Sequence, residues 1–167
     1  MTWRTFWTDE VKKFVINNTF MSVIIAGLLW ILDIGGEYFY IYVWIFVSVV
    51  IFIFIAIYPN IIAPLFNTFN PLEEGPLLTK IEALATKQNF PLDHIYVIDG
   101  SKRSAHSNAY FFGLWNKHIV LFDTLLNDEI SHEEILSILC HELGHWKYSH
   151  MLKNLLILEV QMFAIFF

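Results

Sequence analysis

His141 and His145, with Glu142 beside the first, stand in the stretch LCHELGHWKYSH, Leu139 to His150. On a helix, residues four apart lie within about 40° of each other, one turn apart along the axis. Both imidazoles then reach a single cation, and two neutral nitrogens favour zinc. Glu142 is turned by about 100° from His141, so its carboxylate points beside the ion rather than at it. A general base belongs there, positioned to take a proton from a water molecule at the metal. The H-E-x-x-H spacing is thus an arrangement for metal-assisted hydrolysis. Two histidines on one helix face are also common as plain core or surface residues. The complete motif on a capped helix, with Gly144 at a variable position, favours the metal reading.

Zinc takes a third protein ligand and leaves the fourth position to water. On an unbroken helix His150 lies five residues past His145 and about 140° around, out of reach. Glu159 lies about 21 Å further along the same axis. Tyr148 and Met151 occupy the positions where the longer H-E-x-x-H-x-x-G-x-x-H motif has its glycine and third histidine. His94, His106, His118 and His132 remain as ligands that the fold would have to deliver, though each alone reads as a polar surface or loop residue. Cys140, the single cysteine, excludes an internal disulfide and fits a reducing compartment; beside the motif it reads as a buried helix residue.

The helix that carries the motif opens at SHEE, where Ser131 and Glu134 have capping-box spacing. Nothing in the pattern stops it before the third apolar run, Leu155–Phe167. Upstream, HIYVID and HIVLFD read as strands, with a further strand through Ala109–Phe112 and a turn at Gly113–Lys117. PLLTKIEALATKQNF reads as an amphipathic helix with Pro76 at its start and Pro91 as its stop. YPNIIAPLFNTFNPLEEGP reads as a turn-studded connection.

These elements stand in an unusual solvent. Of 167 residues, 56% are apolar and only 16% charged, against about a quarter charged in ordinary soluble domains. Phe14–Leu32 and Tyr38–Ile57 are long enough to cross a bilayer, which needs about 20 apolar residues. The short DIGGE link makes them an antiparallel hairpin. Arg4, Lys12, Lys13, Lys80, Lys87, Lys102 and Arg103 lie outside the hairpin, whereas its tip carries Asp33 and Glu37. The positive-inside rule therefore places both ends in the cytosol. The expected organisation is a cytosolic lead-in over 1–13, a transmembrane hairpin over 14–57, a cytosolic segment with the motif over 58–150, and the start of a further spanning helix over 151–167. The N-terminus is too polar for a signal peptide. Net charge is −6 with scattered lysines and arginines, which excludes a nucleic-acid footprint.

GSKRSAHSNAYFFGLWNKHIVLFDTLL and EEILSILCHELGHWKYSHMLKN closely resemble the type I CAAX prenyl proteases, multi-spanning zinc endopeptidases of the endoplasmic reticulum. IGGEYFYIYVWIF and IYPNIIAPLFNTFNPLEEGPL resemble that family's membrane hairpin and exit. The resemblance implies a mainly α, multi-spanning membrane protein: a helical hairpin plus a gluzincin-like α+β metallopeptidase segment with a small sheet. It implies one Zn2+ per complete site, His141 and His145 as ligands, Glu142 as the catalytic glutamate, and Asn108 on the substrate side. The implied substrate is a prenylated CAAX protein or peptide cut in a lipid membrane, with its C-terminal tripeptide removed. Family members have further helices on both sides and a downstream glutamate as third zinc ligand, so the chain is expected to be an internal fragment, probed alone inactive. A membrane quality-control zinc peptidase, or a non-catalytic membrane protein or relic that keeps the fold, are the alternatives.

Overall fold

The computed structural model describes residues 1–113, 117–127 and 130–166. The chain divides into two compact units, one of Thr2–Ile57 with Leu152–Phe167, the other of Tyr58–Met151 with Met1.

The first unit consists of long apolar helices. Helix α1 spans Trp3–Ile34 and α2 spans Phe39–Ile57. Helix α1 opens well before the apolar run does: the Thr2 hydroxyl accepts the Thr5 N–H at 3.2 Å, and Lys13 pairs with Glu10 at 2.8 Å. The chain reverses through Gly36, at φ +54°, and a single tight turn, Gly36–Tyr38. The two helices then run antiparallel. Phe46 packs its ring edge where Gly27 lacks a side chain, and Phe20 meets Phe54 edge-on at 6.1 Å, so pairing moves backward along α2 as it moves forward along α1. The last helix, α6 (His150–Phe166), adds Trp44–Phe163 ring contact at 5.7 Å and a hydrogen bond from the Ser48 hydroxyl to Glu159 at 2.7 Å. Helix α2 has no buried residue, and among the described residues two helices are long and apolar enough to cross a membrane.

The second unit begins where a turn-rich connection is expected. The chain instead stays helical through one wide π turn, Tyr58–Ile62, and a short α3, Ala63–Phe66. The widened turn accommodates Pro59, which cannot donate to the helical ladder. A strand that the sequence did not announce follows: β1, Phe69–Pro71. It is pinned by Asp99, whose carboxylate accepts the Thr68 N–H at 2.8 Å and lies 2.6 Å from Lys102 Nζ. Three residues are too few to show alternation, and Pro71 argues against a strand except at an edge, where β1 lies.

Helix α4 covers Pro76–Gln88. Asn89, at φ 55°, closes it in the left-handed conformation and gives its N–H to Ala85 and Thr86, so the stop comes before Pro91. Strands β2 (Leu92–Ile98), β3 (Ala109–Phe112) and β4 (Lys117–Phe122) complete a sheet ordered β1-β2-β4-β3. β2 and β4 are parallel; both outer pairs are antiparallel. The expected turn at Gly113–Lys117 lies partly outside the described residues. Ile95, Ile119, Leu121, Ala109 and Phe111 put one sheet face against Leu77, Ile81 and Ala85 of α4 and Ile135, Leu139 and Leu143 of the following helix. Residues of opposite parity, His94, Tyr96, His118 and Phe112, occupy the other face.

That following helix, α5, spans His132–Lys147. Ser131 Oγ accepts the Glu134 N–H at 3.3 Å and Glu134 Oε2 accepts the Ser131 N–H at 2.7 Å, which completes the capping box. The helix does not run on into the last apolar segment. It ends at Tyr148, and Ser149 at φ 53° turns the chain before α6 starts at His150. The local pattern contains no glycine or proline to signal this stop.

Candidate metal centre

Helix α5 is fixed by one face. Ile135, Leu139 and Leu143 are buried at 4% exposure or less, and Trp146 meets Phe90 edge-on at 5.0 Å. Burying each such side chain contributes about 1.5–3 kcal/mol. Residues at the complementary angles must face outward, and His141 and His145 are exposed. Cys140 is exposed as well, contrary to the sequence expectation. One residue past buried Leu139 is a rotation of about 100°, enough to leave the buried stripe.

The two motif histidines converge, with His141 Nε2 3.1 Å from His145 Nε2. Two ligands at 2.0–2.1 Å in tetrahedral array stand about 3.3 Å apart, so the pair fits one zinc-sized ion through its Nε2 atoms. Glu142, half-buried, follows His141 directly on the helix. The break at Ser149 turns His150 back toward the pair. His150 Nδ1 comes within 2.8 Å of His145 Nδ1. It approaches the ring nitrogen away from His141, so it is not a third ligand. With the shared proton on His145 Nδ1, His145 Nε2 presents its lone pair to a metal, and the hydrogen bond opposes rotation of the ring. This partner was missed because its reach depends on a left-handed Ser149, which the sequence gives no reason to expect.

Among the described residues, no His, Cys, Asp or Glu brings a third ligand atom to the His141–His145 pair. His132 opens α5, nine residues and about 13 Å before His141. His106 lies in the loop before β3, where its carbonyl accepts the Thr124 hydroxyl at 3.2 Å. His94 and His118 meet each other on the far sheet face, beside Asp93. Burial pushes the His118 imidazole below the usual histidine range, against the opposing pull of Asp93. Asn108 is exposed just ahead of β3; its Oδ1 accepts the Ala109 N–H at 2.9 Å and its carbonyl accepts the Phe122 N–H at 3.0 Å. β3 itself is an edge strand that borders β4 on one side and packs against α5.

Electrostatics favour the helix start. Glu133 is held below the usual glutamate range by its hydrogen bond to Lys80, and Glu134 by the Ser131 N–H. Both therefore stay ionised at the positive end of the helix dipole.

Comparison with known proteins agrees with this geometry. Residues 71–167 match peptidase family M48, and residues 1–68 match the family described as CAAX prenyl protease N-terminal, five membrane helices. The chain is 42% identical over 97% of its length to the mouse CAAX prenyl protease 1 homolog, and 52% identical over 66% to CAAX prenyl protease 1 of Saccharomyces cerevisiae. The crystal structure of S. mikatae Ste24p superposes with a TM-score of 0.92 at 43% identity and covers 99% of this chain. The chain spans 42% of the mouse relative's length and 39% of the S. mikatae chain. A helix pair of imidazoles, a capped motif helix and matches along both segments converge on one conclusion: the chain belongs to peptidase family M48, as a multi-pass membrane member with a metal cofactor.

Proposed function

We propose that the chain is the metal-bearing part of a zinc endopeptidase that removes the C-terminal tripeptide of prenylated CAAX proteins. The carrying observation is the facing pair His141 Nε2 and His145 Nε2, 3.1 Å apart on the exposed face of α5, with Glu142 next in sequence. The relatives, CAAX prenyl protease 1 and its homologs, carry the substrate class in their names. The third ligand is proposed to be a glutamate outside residues 1–167.

His141 and His145 would hold the ion by their Nε2 atoms, with His150 orienting His145. Zinc so held supplies Lewis acidity toward the scissile carbonyl and makes a nearby water easier to deprotonate. Glu142 would accept a proton from a water molecule as its oxygen bonds to the scissile carbonyl carbon, and return it to the departing amine nitrogen as the C–N bond breaks. Among the described residues no strand pairs with the outer edge of β3, which suits an extended peptide that would add as a further strand, and Asn108 at the head of β3 is proposed to face it. The protein is further proposed to reside in the endoplasmic reticulum membrane with residues 58–150 toward the cytosol, since its lysines and arginines lie outside the hairpin tip.

Glu142→Gln in the full-length protein tests the assignment. Cleavage of a farnesylated CAAX peptide should fall by about 10²–10⁴-fold while bound zinc stays the same. Undiminished cleavage would remove Glu142 from the chemistry. Absence of cleavage in the parent protein, with zinc present, would favour the non-catalytic alternative. Equal cleavage of an unprenylated membrane peptide would favour quality control.

A further inference from the structure

β2 and β4 bring together three ligand-type side chains that the peptidase reading does not use. Their register pairs Leu92 with Lys117 and then His94 with His118, so Asp93 is an extra residue in β2. Successive strand residues ordinarily point to opposite faces, and a bulge sets two residues against one and re-aims a side chain. Here it turns the Asp93 carboxylate toward the same face as the two imidazoles. Asp93 Oδ2 lies 3.3 Å from His94 Nδ1 and 3.9 Å from His118 Nδ1. One ligand atom from each of the three residues falls within 4.8 Å of the others. Tetrahedral zinc ligands stand about 3.3 Å apart, so a small rotation closes the set on one ion.

Two further observations point to a ligand. His118 Nδ1 is buried and, among the described residues, makes no hydrogen bond to another protein atom, a cost that a bound cation would remove. The rings are also held in place before any ion arrives. His94 stacks on Tyr96 at 5.9 Å with planes 14° apart, and His118 packs on Phe112 at 5.0 Å. Beside His118 a cleft lined by Pro59, Pro64, Phe69, Tyr96 and Phe112 leaves room for water as a fourth ligand.

We infer that Asp93, His94 and His118 form a second cation site, separate from His141 and His145, that takes a divalent transition ion of the zinc class. Two imidazoles and one carboxylate suit zinc, nickel or copper and are a poor set for calcium or magnesium, which prefer oxygen. The ion would clip β2 to β4 at the bulge, on the sheet face away from α5. Its role is therefore structural, and it binds the folded sheet in preference to the unfolded chain.

The test uses the full-length protein in detergent, without a polyhistidine tag, stripped with chelator and dialysed against zinc chloride. In a His141→Ala, His145→Ala background, elemental analysis should still find one zinc per chain. Zinc should also raise the melting temperature of that variant. Adding His118→Ala should abolish both effects. Because His118 is largely buried, His94→Gln serves as the second variant: it changes an exposed ring and should abolish the zinc without altering the circular dichroism spectrum. A folded His141→Ala, His145→Ala protein that retains no zinc would overturn the site. Retention of the zinc in both the His94→Gln and His118→Ala proteins would overturn it too, leaving Asp93 as a plain ion-pair partner.

Discussion

Two histidine clusters lie on opposite sides of one small α+β unit, and they are built by opposite means. His141 and His145 meet because a helix places residues four apart on one face, and the buried stripe of Ile135, Leu139 and Leu143 turns that face outward. His94 and His118 stand 24 positions apart and meet only because β2 and β4 pair in one register, with a bulge that swings Asp93 around. Short-range spacing holds the first pair; long-range strand pairing holds the second. The first should therefore survive changes to the sheet's outer face, and the second should be indifferent to substitutions on α5 that leave the core intact.

The largest expected effect challenges the first half of that contrast. Leu139 is 1% exposed in the shared core, between the elements that carry the two clusters. Leu139→Ala should destabilise the unit by about 2–5 kcal/mol, read as a lower denaturant midpoint for loss of its circular dichroism signal. A change below about 1 kcal/mol would mean that the buried stripe does not hold α5, and that the outward face of His141 and His145 needs another cause.

The contrast also explains what the sequence disclosed. The motif helix, its capping box, α2, β2, β3 and β4 are all set by local spacing or by apolar runs, and each is visible in a window of a few residues. What escaped needs partners distant in sequence or unusual backbone. β1 is three residues long and exists by pairing with β2 and by Asp99 holding Thr68. The stop between α5 and α6 lies at a serine with φ 53°, a conformation that serine rarely adopts. From that one dihedral follow both the break in a helix that the local pattern would continue and the approach of His150 to His145. Taken singly, His94 and His118 read as polar surface or loop residues, and nothing in the sequence brings Asp93 to them, because a bulge has no signature in a single sequence.

His150 provides the next test, of whether the helix cluster is wholly local. It reaches His145 across the break, at 2.8 Å. His150→Ala should weaken zinc binding at the His141–His145 pair by about 10–100-fold, since it removes the group that orients a ligand. Zinc held by His94 and His118 should be unaffected, and His150→Gln, which can still accept a hydrogen bond, should restore part of the loss. Unchanged zinc affinity in both variants would show that the pair needs nothing beyond its own helix turn, which would make the contrast between the clusters sharper than the structure suggests.

The smallest effect concerns the start of α5, where helix geometry is set before either histidine appears. Ser131→Ala removes the side chain that caps the helix and should cost about 1 kcal/mol at neutral pH. Its pH dependence carries more information than its size. Glu134 is held below its usual value of about 4.5 by hydrogen bonds from Ser131, the backbone N–H first. A carboxylate depressed in the folded state adds stability at pH above its unfolded value, and that stability is lost as pH falls through the folded value. The parent should therefore lose stability on acidification below about pH 4.5, and Ser131→Ala should lose less, because the hydroxyl part of the interaction is already gone. Urea midpoints at neutral pH and at about pH 3.5 measure both slopes. Parallel slopes would mean that the hydroxyl contributes nothing to the depression and that the backbone N–H alone holds Glu134. The motif helix would then be started by a one-sided cap, and the spacing of Ser131 and Glu134 would have identified its first turn for only half of the physical reason.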